Sequence, residues 1–249
     1  MKVSALNKKK GFTLIELMVV ITILAAVGGI SYTAILPHLG DGDRQVAQSN
    51  MGSIHKVLQQ FKSDNGNYPC DSTAETLQEQ KPDLNFGELT GDTSNAYFRQ
   101  VFYGQDQANE KVFYAKLAVG GKEVKEGDTK VGNGKAFERG ENAMAYVMKK
   151  DKDDPAVKKA VTAGSAPLIF CSVYPYKTPY SADQLVLDNV SFRGHAFVLS
   201  CDGSVKDLQK NMTEDDNDEE KATLNSSIFP ETKGGRDTTA DYMVLPPDL

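Results

Sequence analysis

The feature that most constrains this chain is an apolar run near its N-terminus. Residues 17–36, LMVVITILAAVGGISYTAIL, contain no formally charged side chain. A helix of this length, with a rise of about 1.5 Å per residue, spans roughly 30 Å, which is the hydrocarbon thickness of a bilayer. Three consecutive lysines at 8–10 precede the run, and Asp41 and Asp43 follow it. The positive-inside rule predicts one membrane span, with the N-terminus in the cytoplasm and the rest of the chain outside.

One carboxylate, Glu16, stands immediately before this run and is the only charged side chain between Gly11 and Gly40. A carboxylate at mid-bilayer costs about 2.5–3.5 kcal/mol on insertion scales, so it is a functional candidate by default. A cleaved secretory signal is an alternative, but its apolar region typically has only about 7–15 residues and ends at an A-x-A-like site. A plain single-pass anchor explains the length and the flanks of the run but not Glu16.

The segment KKKGFTLIELMVV, residues 8–20, resembles the class III signal of type IV pilins and type II secretion pseudopilins. In that family a prepilin peptidase cuts after a glycine on the cytoplasmic side, the new N-terminal Phe is N-methylated, and the fifth mature residue is Glu. The resemblance implies cleavage between Gly11 and Phe12, methylation of Phe12, and an assembly role for Glu16. In a filament core the Glu16 carboxylate would meet the charged amine of a neighbouring Phe12.

A second helix is predicted after Pro37, where apolar residues recur every three or four positions and form one amphipathic stripe. The stripe consists of Ala47, Met51, Ile54, Leu58 and Phe61. Gly66 suits a left-handed C-terminal cap, and Pro69 prevents the helix from continuing. Pilins use such a long N-terminal helix as a spine, so the resemblance implies that the stripe docks on a sheet. The turn DNGNYP at 64–69 is also similar to the helix exit of major pseudopilins.

The order of the remaining elements predicts an α+β domain whose strands form a small antiparallel sheet on the spine helix. The resemblance to pilins implies that this fold is pilin-like. We predict strands at 112–119, 143–148 and 167–174, and a short helix in DDPAVKKAV, opened by Asp154 and Pro155. GHAFVLSCDGSVKDL predicts a hairpin with a type I′ turn at Asp202-Gly203. The predicted organisation is a leader at 1–11, a transmembrane helix at 12–36, its amphipathic extension at 37–66 and an extracytoplasmic globular domain at 67–249, with a solvated acidic loop at 213–220.

The three cysteines match no zinc pattern, because there is no CxxC and the histidines are scattered. In an oxidising space the simplest arrangement is one disulfide and one free thiol. Cys171 and Cys201 lie in strand-like runs that suit neighbouring strands, so we predict that they pair and that Cys70 is free.

An anchored enzyme is the alternative from another class, with Cys171, His195 and Asp202 as nucleophile, base and orienting acid. No G-x-S-x-G, H-E-x-x-H or phosphate-binding glycine loop accompanies them, and we predict no enzymatic activity. The net charge of −6 gives no basic face for nucleic acid.

Major pseudopilins bind calcium in the loop after their Asp-Gly turn. The resemblance therefore implies a calcium site at the matching positions Asp202, Asp237 and Asp241. Calcium takes about six to eight oxygen ligands, so backbone carbonyls and water would complete the site.

The sequence thus predicts a structural subunit of a type II secretion pseudopilus or type IV pilus-like filament. The implied partners are prepilin peptidase, like subunits, the secretion or pilus assembly machinery and the membrane. The implied location is the bacterial inner membrane, with one span and an extracytoplasmic globular domain. A membrane-anchored extracytoplasmic binding or adhesion protein is the alternative.

Overall fold

The computed structural model describes most of the globular part of the chain and one short N-terminal stretch. The described residues are 14–23, 39–103, 109–116, 123–131, 134–162, 164–171, 173–174, 180–181, 186–187, 192, 195–209 and 241–249. The chain divides into two compact units, Met1–Gly42 and Asp43–Leu249. The predicted leader at 1–11 and the acidic loop at 213–220 lie outside the described residues.

In the first unit, residues 14–23 form a helix, which we call α1. Within the described part of the chain, no helix is both long and apolar enough to cross a membrane. Residues 24–38 of the predicted span are not among those described.

Helix α2 (Leu39–Asn65) carries the predicted apolar stripe. All five stripe residues are buried, with at most 1% of their surface exposed. The helix ends as its sequence predicts, because Gly66 has a φ of +79° and the Asn65 side chain donates to the Phe61 carbonyl at 2.9 Å.

Two shorter helices and two 3-10 helices follow α2 and close one side of the core. They are α3 (Asp71–Gln80), α4 (Ser94–Arg99) and the 3-10 helices Gln100–Phe102 and Glu110–Phe113. Phe98 of α4 contacts Phe113 and Tyr146, with ring centroids 4.6 and 5.1 Å apart. Such contacts join the helices to the sheet through apolar and aromatic burial.

The strands form an antiparallel sheet and a separate two-stranded ribbon, so the predicted α+β class is confirmed. The described strands are β1 (Ala145–Lys150), β2 (Lys158–Ala160), β3 (Pro167–Cys171), β4 (Val173–Tyr174), β5 (Tyr180–Ser181), β6 (Val186–Leu187), β7 (His195–Ser200), β8 (Val205–Gln209) and β9 (Tyr242–Leu245). Their order in the main sheet is β5-β9-β1-β3-β7-β8, with β2 also paired to β1, while β4 pairs with β6. Strands were predicted at 143–148 and 167–174, where β1, β3 and β4 lie.

The strand predicted at 112–119 is wrong in its described part, where the 3-10 helix Glu110–Phe113 stands instead. The Asn109 side chain accepts from the Lys111 N–H at 3.0 Å and begins this helix. Phe113 and Ala115 are both buried. Their alternation therefore reflects burial of Phe113 in the 3-10 helix and of Ala115 just after it, rather than strand pairing.

The short helix predicted after Asp154 is also wrong. The Asp154 carbonyl and carboxylate accept from the N–H groups of Val157 and Ala156, both at 3.0 Å, which makes a turn. The chain then enters β2, where Lys158 N–H donates to the Asp71 carboxylate at 2.8 Å and Met148 of β1 pairs with Ala160. Sheet pairing overrides the local preference for a helix.

The β7–β8 hairpin is confirmed, but its turn is not type I′. Gly203 N–H donates to the Ser200 carbonyl and Ser200 N–H to the Ser204 carbonyl, both at 2.9 Å. Gly203 has a φ of +87°, whereas Asp202 is not among the described residues with positive φ. The turn is therefore a three-residue loop with glycine in the left-handed position. Within it, the Asp202 carboxylate accepts hydrogen bonds from the Ser204 N–H and hydroxyl at 2.9 and 2.7 Å, which stabilises the turn locally.

Candidate functional site

Helix α1 presents apolar side chains on every side. All residues from 14 to 23 are exposed, and the eight large hydrophobic ones have between 44% and 77% of their surface accessible. The Thr22 hydroxyl donates back to the Met18 and Val19 carbonyls at 3.0 and 2.8 Å, so it is satisfied within the helix. A helix that is apolar all round requires an apolar environment, either lipid or other apolar helices.

Glu16 is the only charged residue of α1. It lies between Ile15 and Leu17, which are 70% and 57% exposed, so an environment that covers the helix would also take in the carboxylate. An ionised carboxylate that is removed from water is stable only where a cation or hydrogen-bond donors lie beside it. The predicted cleavage site, Gly11 and Phe12, lies outside the described residues and stays a prediction.

In the second unit, which contains α2 from Asp43 onward, this helix contacts the β7–β8 hairpin at two points. We call these contacts the helix–hairpin interface. Near the start of β7, Arg44 Nη1 lies 3.2 Å from His195 Nε2. Beyond its end, His55 Nε2 lies 3.2 Å from the Cys201 carbonyl oxygen. Eleven residues of helix cover about 16 Å and six residues of strand about 20 Å, so α2 runs alongside β7 in the same direction.

Side-chain hydrogen bonds and close packing complete this interface. Gln59 Nε2 donates to the Tyr68 hydroxyl at 2.6 Å and lies 3.3 Å from the Cys201 carbonyl oxygen. A Cβ placed on Gly203 would lie 2.7 Å from His55 Cε1, so the turn packs directly on the imidazole. Sequence analysis did not identify Arg44 or Gln59, because polar positions on an amphipathic helix give no signal of what they contact.

Within the described ranges, no three His, Cys, Asp or Glu residues are placed to hold a metal ion. Asp202 follows β7 and Asp241 precedes β9, and β1 and β3 lie between those strands. Three strand spacings separate the two strand ends by about 14 Å. Asp237 lies outside the described residues, and calcium binding stays a prediction.

The predicted Cys171–Cys201 disulfide is wrong for this structure, in which all three cysteines are free and buried. In the ladder, Cys171 lies opposite Phe197, which is four positions before Cys201. The Cα atoms of Cys171 and Cys201 are therefore about 13 Å apart along the strand. A disulfide requires a Cα separation of about 4.4–6.8 Å. The two runs are indeed neighbouring strands, but the register places the thiols at opposite ends.

The residues considered for catalysis are not brought together. Burial raises the pKa of the Cys171 thiol to about 12, which keeps the thiol protonated at neutral pH. His195 begins β7 and Asp202 follows its end, with Asp202 bonded to Ser204. Cys171, His195 and Asp202 therefore do not form one nucleophile–base–acid site.

Glu110 is a buried charge that sequence reasoning missed, since a glutamate in NEKVF reads as an ordinary surface residue. It has no exposed surface, and its two carboxylate oxygens accept from the backbone N–H groups of Phe137 and Asp128. Burial raises its pKa above the ordinary value. These two bonds hold Asp128 and Phe137 against the 3-10 helix Glu110–Phe113.

Comparison with known proteins bears on the N-terminal part of the chain. Residues 6–32 match the prokaryotic N-terminal methylation motif. The chain therefore has the N-terminal segment of a prepilin-type protein, and the predicted family resemblance is confirmed there.

The chain is also similar to proteins of type II secretion systems over 62 to 73 residues. The chain is 37% identical over 62 residues to "Type II secretion system core protein G" of Pectobacterium carotovorum subsp. carotovorum, covering 25% of this chain and 40% of the relative. It is 34% identical over 65 residues to the protein of that name in Escherichia coli (strain K12), covering 26% and 45%. For Klebsiella pneumoniae the values are 33% over 73 residues, covering 29% and 51%. The chain thus spans about half or less of the length of each of these relatives, and no solved structure matches it.

Proposed function

We propose that this protein is a structural subunit of a type II secretion pseudopilus or of a type IV pilus-like filament. The observation that carries the proposal is that the methylation motif at 6–32 includes helix α1, which is apolar except for Glu16 and Thr22. Similarity to core components of type II secretion systems supports the same reading.

The arrangement that we propose is one long N-terminal helix, with residues 12–36 as its membrane half and 37–66 as its amphipathic half. The buried stripe of α2 and its contacts with the β7–β8 hairpin support the role of the amphipathic half. The exposed apolar surface of α1 supports the role of the membrane half.

We further propose processing by a prepilin peptidase between Gly11 and Phe12, followed by methylation of Phe12. Before assembly the protein would be anchored in the bacterial inner membrane, with its N-terminus cytoplasmic and its globular unit outside. The new amine of Phe12 is the group that a neighbouring Glu16 would meet, since a charged amine compensates a carboxylate removed from water. Like subunits and the secretion machinery are then its partners.

The test of assembly compares two substitutions in α1. Glu16→Val removes the carboxylate and should leave membrane insertion intact, because a group that is costly in lipid is lost. Filament assembly or secretion should nevertheless fail. Thr22→Val is the matched control, since it removes a polar group from the same helix without changing charge, and it should assemble normally. Normal filaments from the Glu16→Val protein would contradict the proposed role.

The test of processing is the intact mass of the membrane-extracted protein together with its N-terminal sequence. We expect a chain that begins at a methylated Phe12. Gly11→Glu should block cleavage and leave the leader attached, so a mature mass in that variant would contradict the site.

A further inference from the structure

The helix–hairpin interface contains one histidine at each end, in opposite chemical surroundings. At His195, Nδ1 lies 2.8 Å from Asp207 Oδ1, and Nε2 lies 3.2 Å from Arg44 Nη1. Arginine only donates hydrogen bonds, so Nε2 must be the acceptor and the ring proton must be on Nδ1, directed at the carboxylate. The contact between α2 and the hairpin at this end therefore requires a neutral imidazole.

At the other end, His55 faces a hydrogen-bond acceptor. Its Nε2 lies 3.2 Å from the Cys201 carbonyl oxygen, and an imidazolium donates to a carbonyl as well as a neutral ring does. Gln59 Nε2 also lies 3.1 Å from His55 Nε2, but the amide can instead donate to the Tyr68 hydroxyl at 2.6 Å. Protonation of His55 is thus compatible with the contact that it makes.

We propose that mild acid releases the N-terminal half of α2 from the β7–β8 hairpin by protonating His195. The added proton occupies the lone pair of Nε2 to which Arg44 donates, and two cations then face each other across 3.2 Å. The hydrogen bond becomes a repulsion, and the contact between helix and hairpin opens at this end only.

The other charged groups around His195 set which contact breaks. Asp207 of β8 attracts the imidazolium and keeps it on the hairpin, since their 2.8 Å contact becomes an ion pair. From α2, Asp43 is directed to Lys116, whose Nζ lies 3.7 Å away. Strand β3, which packs on the other side of β7, has the sequence PLIFC and brings no charge. Acid therefore tightens β7 on β8 while it loosens α2.

This pH response involves only residues of the globular unit, and its test is independent of the proposed filament role. Its test uses the full chain in detergent micelles at about pH 7.5 and about pH 5.5, between which a histidine side chain changes charge. Hydrogen–deuterium exchange, corrected for the intrinsic pH dependence, is followed at 43–50 and at 53–60. We expect a loss of protection at 43–50 in acid and no loss at 53–60.

Two substitutions locate the effect. His195→Gln keeps an acceptor for Arg44 but cannot be charged, so its protection at 43–50 should not change with pH. His55→Gln is the matched control at the other end of the interface, and it should retain the wild-type pH response. Only three histidines are present, so selective ¹⁵N labelling also reports the His195 tautomer, for which we expect a proton on Nδ1 at the higher pH.

Three results would overturn the proposal. One is unchanged protection at 43–50 in the wild-type protein, and another is the same acid response in His195→Gln. The third is a neutral His195 that carries its proton on Nε2. If His195→Gln does not fold, Arg44→Gln replaces it, because removal of the opposing cation must also remove the response.

Discussion

Gly203 offers a test of how closely the β7–β8 turn packs on α2. Substitution Gly203→Ala meets two separate obstacles. The residue has a φ of +87°, and the new Cβ would lie 2.7 Å from His55 Cε1 and 2.9 Å from Nδ1. Gly66 is a matched control, since its φ is +79° and a Cβ there meets no atom within 4 Å. Gly66→Ala therefore reports the backbone cost alone.

The two costs can be worked out separately. A left-handed backbone costs a residue with a Cβ about 1–2 kcal/mol, and this applies to both substitutions. The unfolded chain loses entropy equally in both, which offsets about 0.4–1 kcal/mol of it. Overpacking against the imidazole adds about 1–3 kcal/mol at Gly203 only. We therefore expect Gly203→Ala to lower the free energy of unfolding by about 1–3 kcal/mol more than Gly66→Ala does.

The measurement is urea unfolding of the full chain in detergent, followed by circular dichroism. For a chain of this size the expected difference corresponds to about 2–12 °C in melting temperature. In a double-mutant cycle, His55→Ala should remove the additional cost of Gly203→Ala, because the contact is then absent. Equal effects of Gly203→Ala and Gly66→Ala would refute the packing of the turn on His55.

Three further predictions concern buried groups and ligands. Burial raises the pKa of Glu110, so the folded protein holds this proton more tightly than the unfolded chain does. The free energy of unfolding should therefore fall as pH rises from about 4.5 through the raised pKa, and Glu110→Gln should flatten this part of the pH profile in denaturant unfolding. Alkylation and mass mapping of the unreduced protein should find all thiols free after unfolding, and a Cys171–Cys201 linked peptide would contradict the strand register. If calcium binds the folded protein, melting in excess calcium should occur at a higher temperature than in chelator, and equal midpoints would remove the predicted site.

Sequence patterns predicted what depends on contiguous residues. The stripe of α2 was predicted correctly because helical periodicity is repeated over the 15 residues from Ala47 to Phe61 and that face is buried. The end of α2 at Gly66 and the place of the β7–β8 hairpin, though not its turn type, were predicted correctly because each depends on a glycine in a local turn. The resemblance of the N-terminal segment was confirmed because the whole motif lies within one short stretch, residues 6–32.

What the sequence did not predict depends on contacts between distant residues. The register of β3 against β7 decides that Cys171 faces Phe197, and no local signal fixes such a register. The strand predicted at 112–119 was wrong in its described part because Phe113 and Ala115 are buried outside any strand, and burial there also selects apolar residues. Glu110 was missed because its partners, Phe137 and Asp128, lie far along the chain.

The two units differ in where their polar and apolar groups find partners. In the globular unit, even the C-terminal residues are tied into the fold, since Pro246 accepts from Ser94 N–H at 2.9 Å and Asp248 from Gly140 N–H at 2.7 Å. Helix α1, by contrast, leaves its large apolar side chains exposed. The free energy of unfolding of the globular unit is therefore determined by contacts within the chain, whereas the stability of helix α1 depends on the lipid or protein that surrounds it. Substitutions in the helix–hairpin interface should thus change stability, and Glu16→Val should change assembly without changing the unfolding of the globular unit.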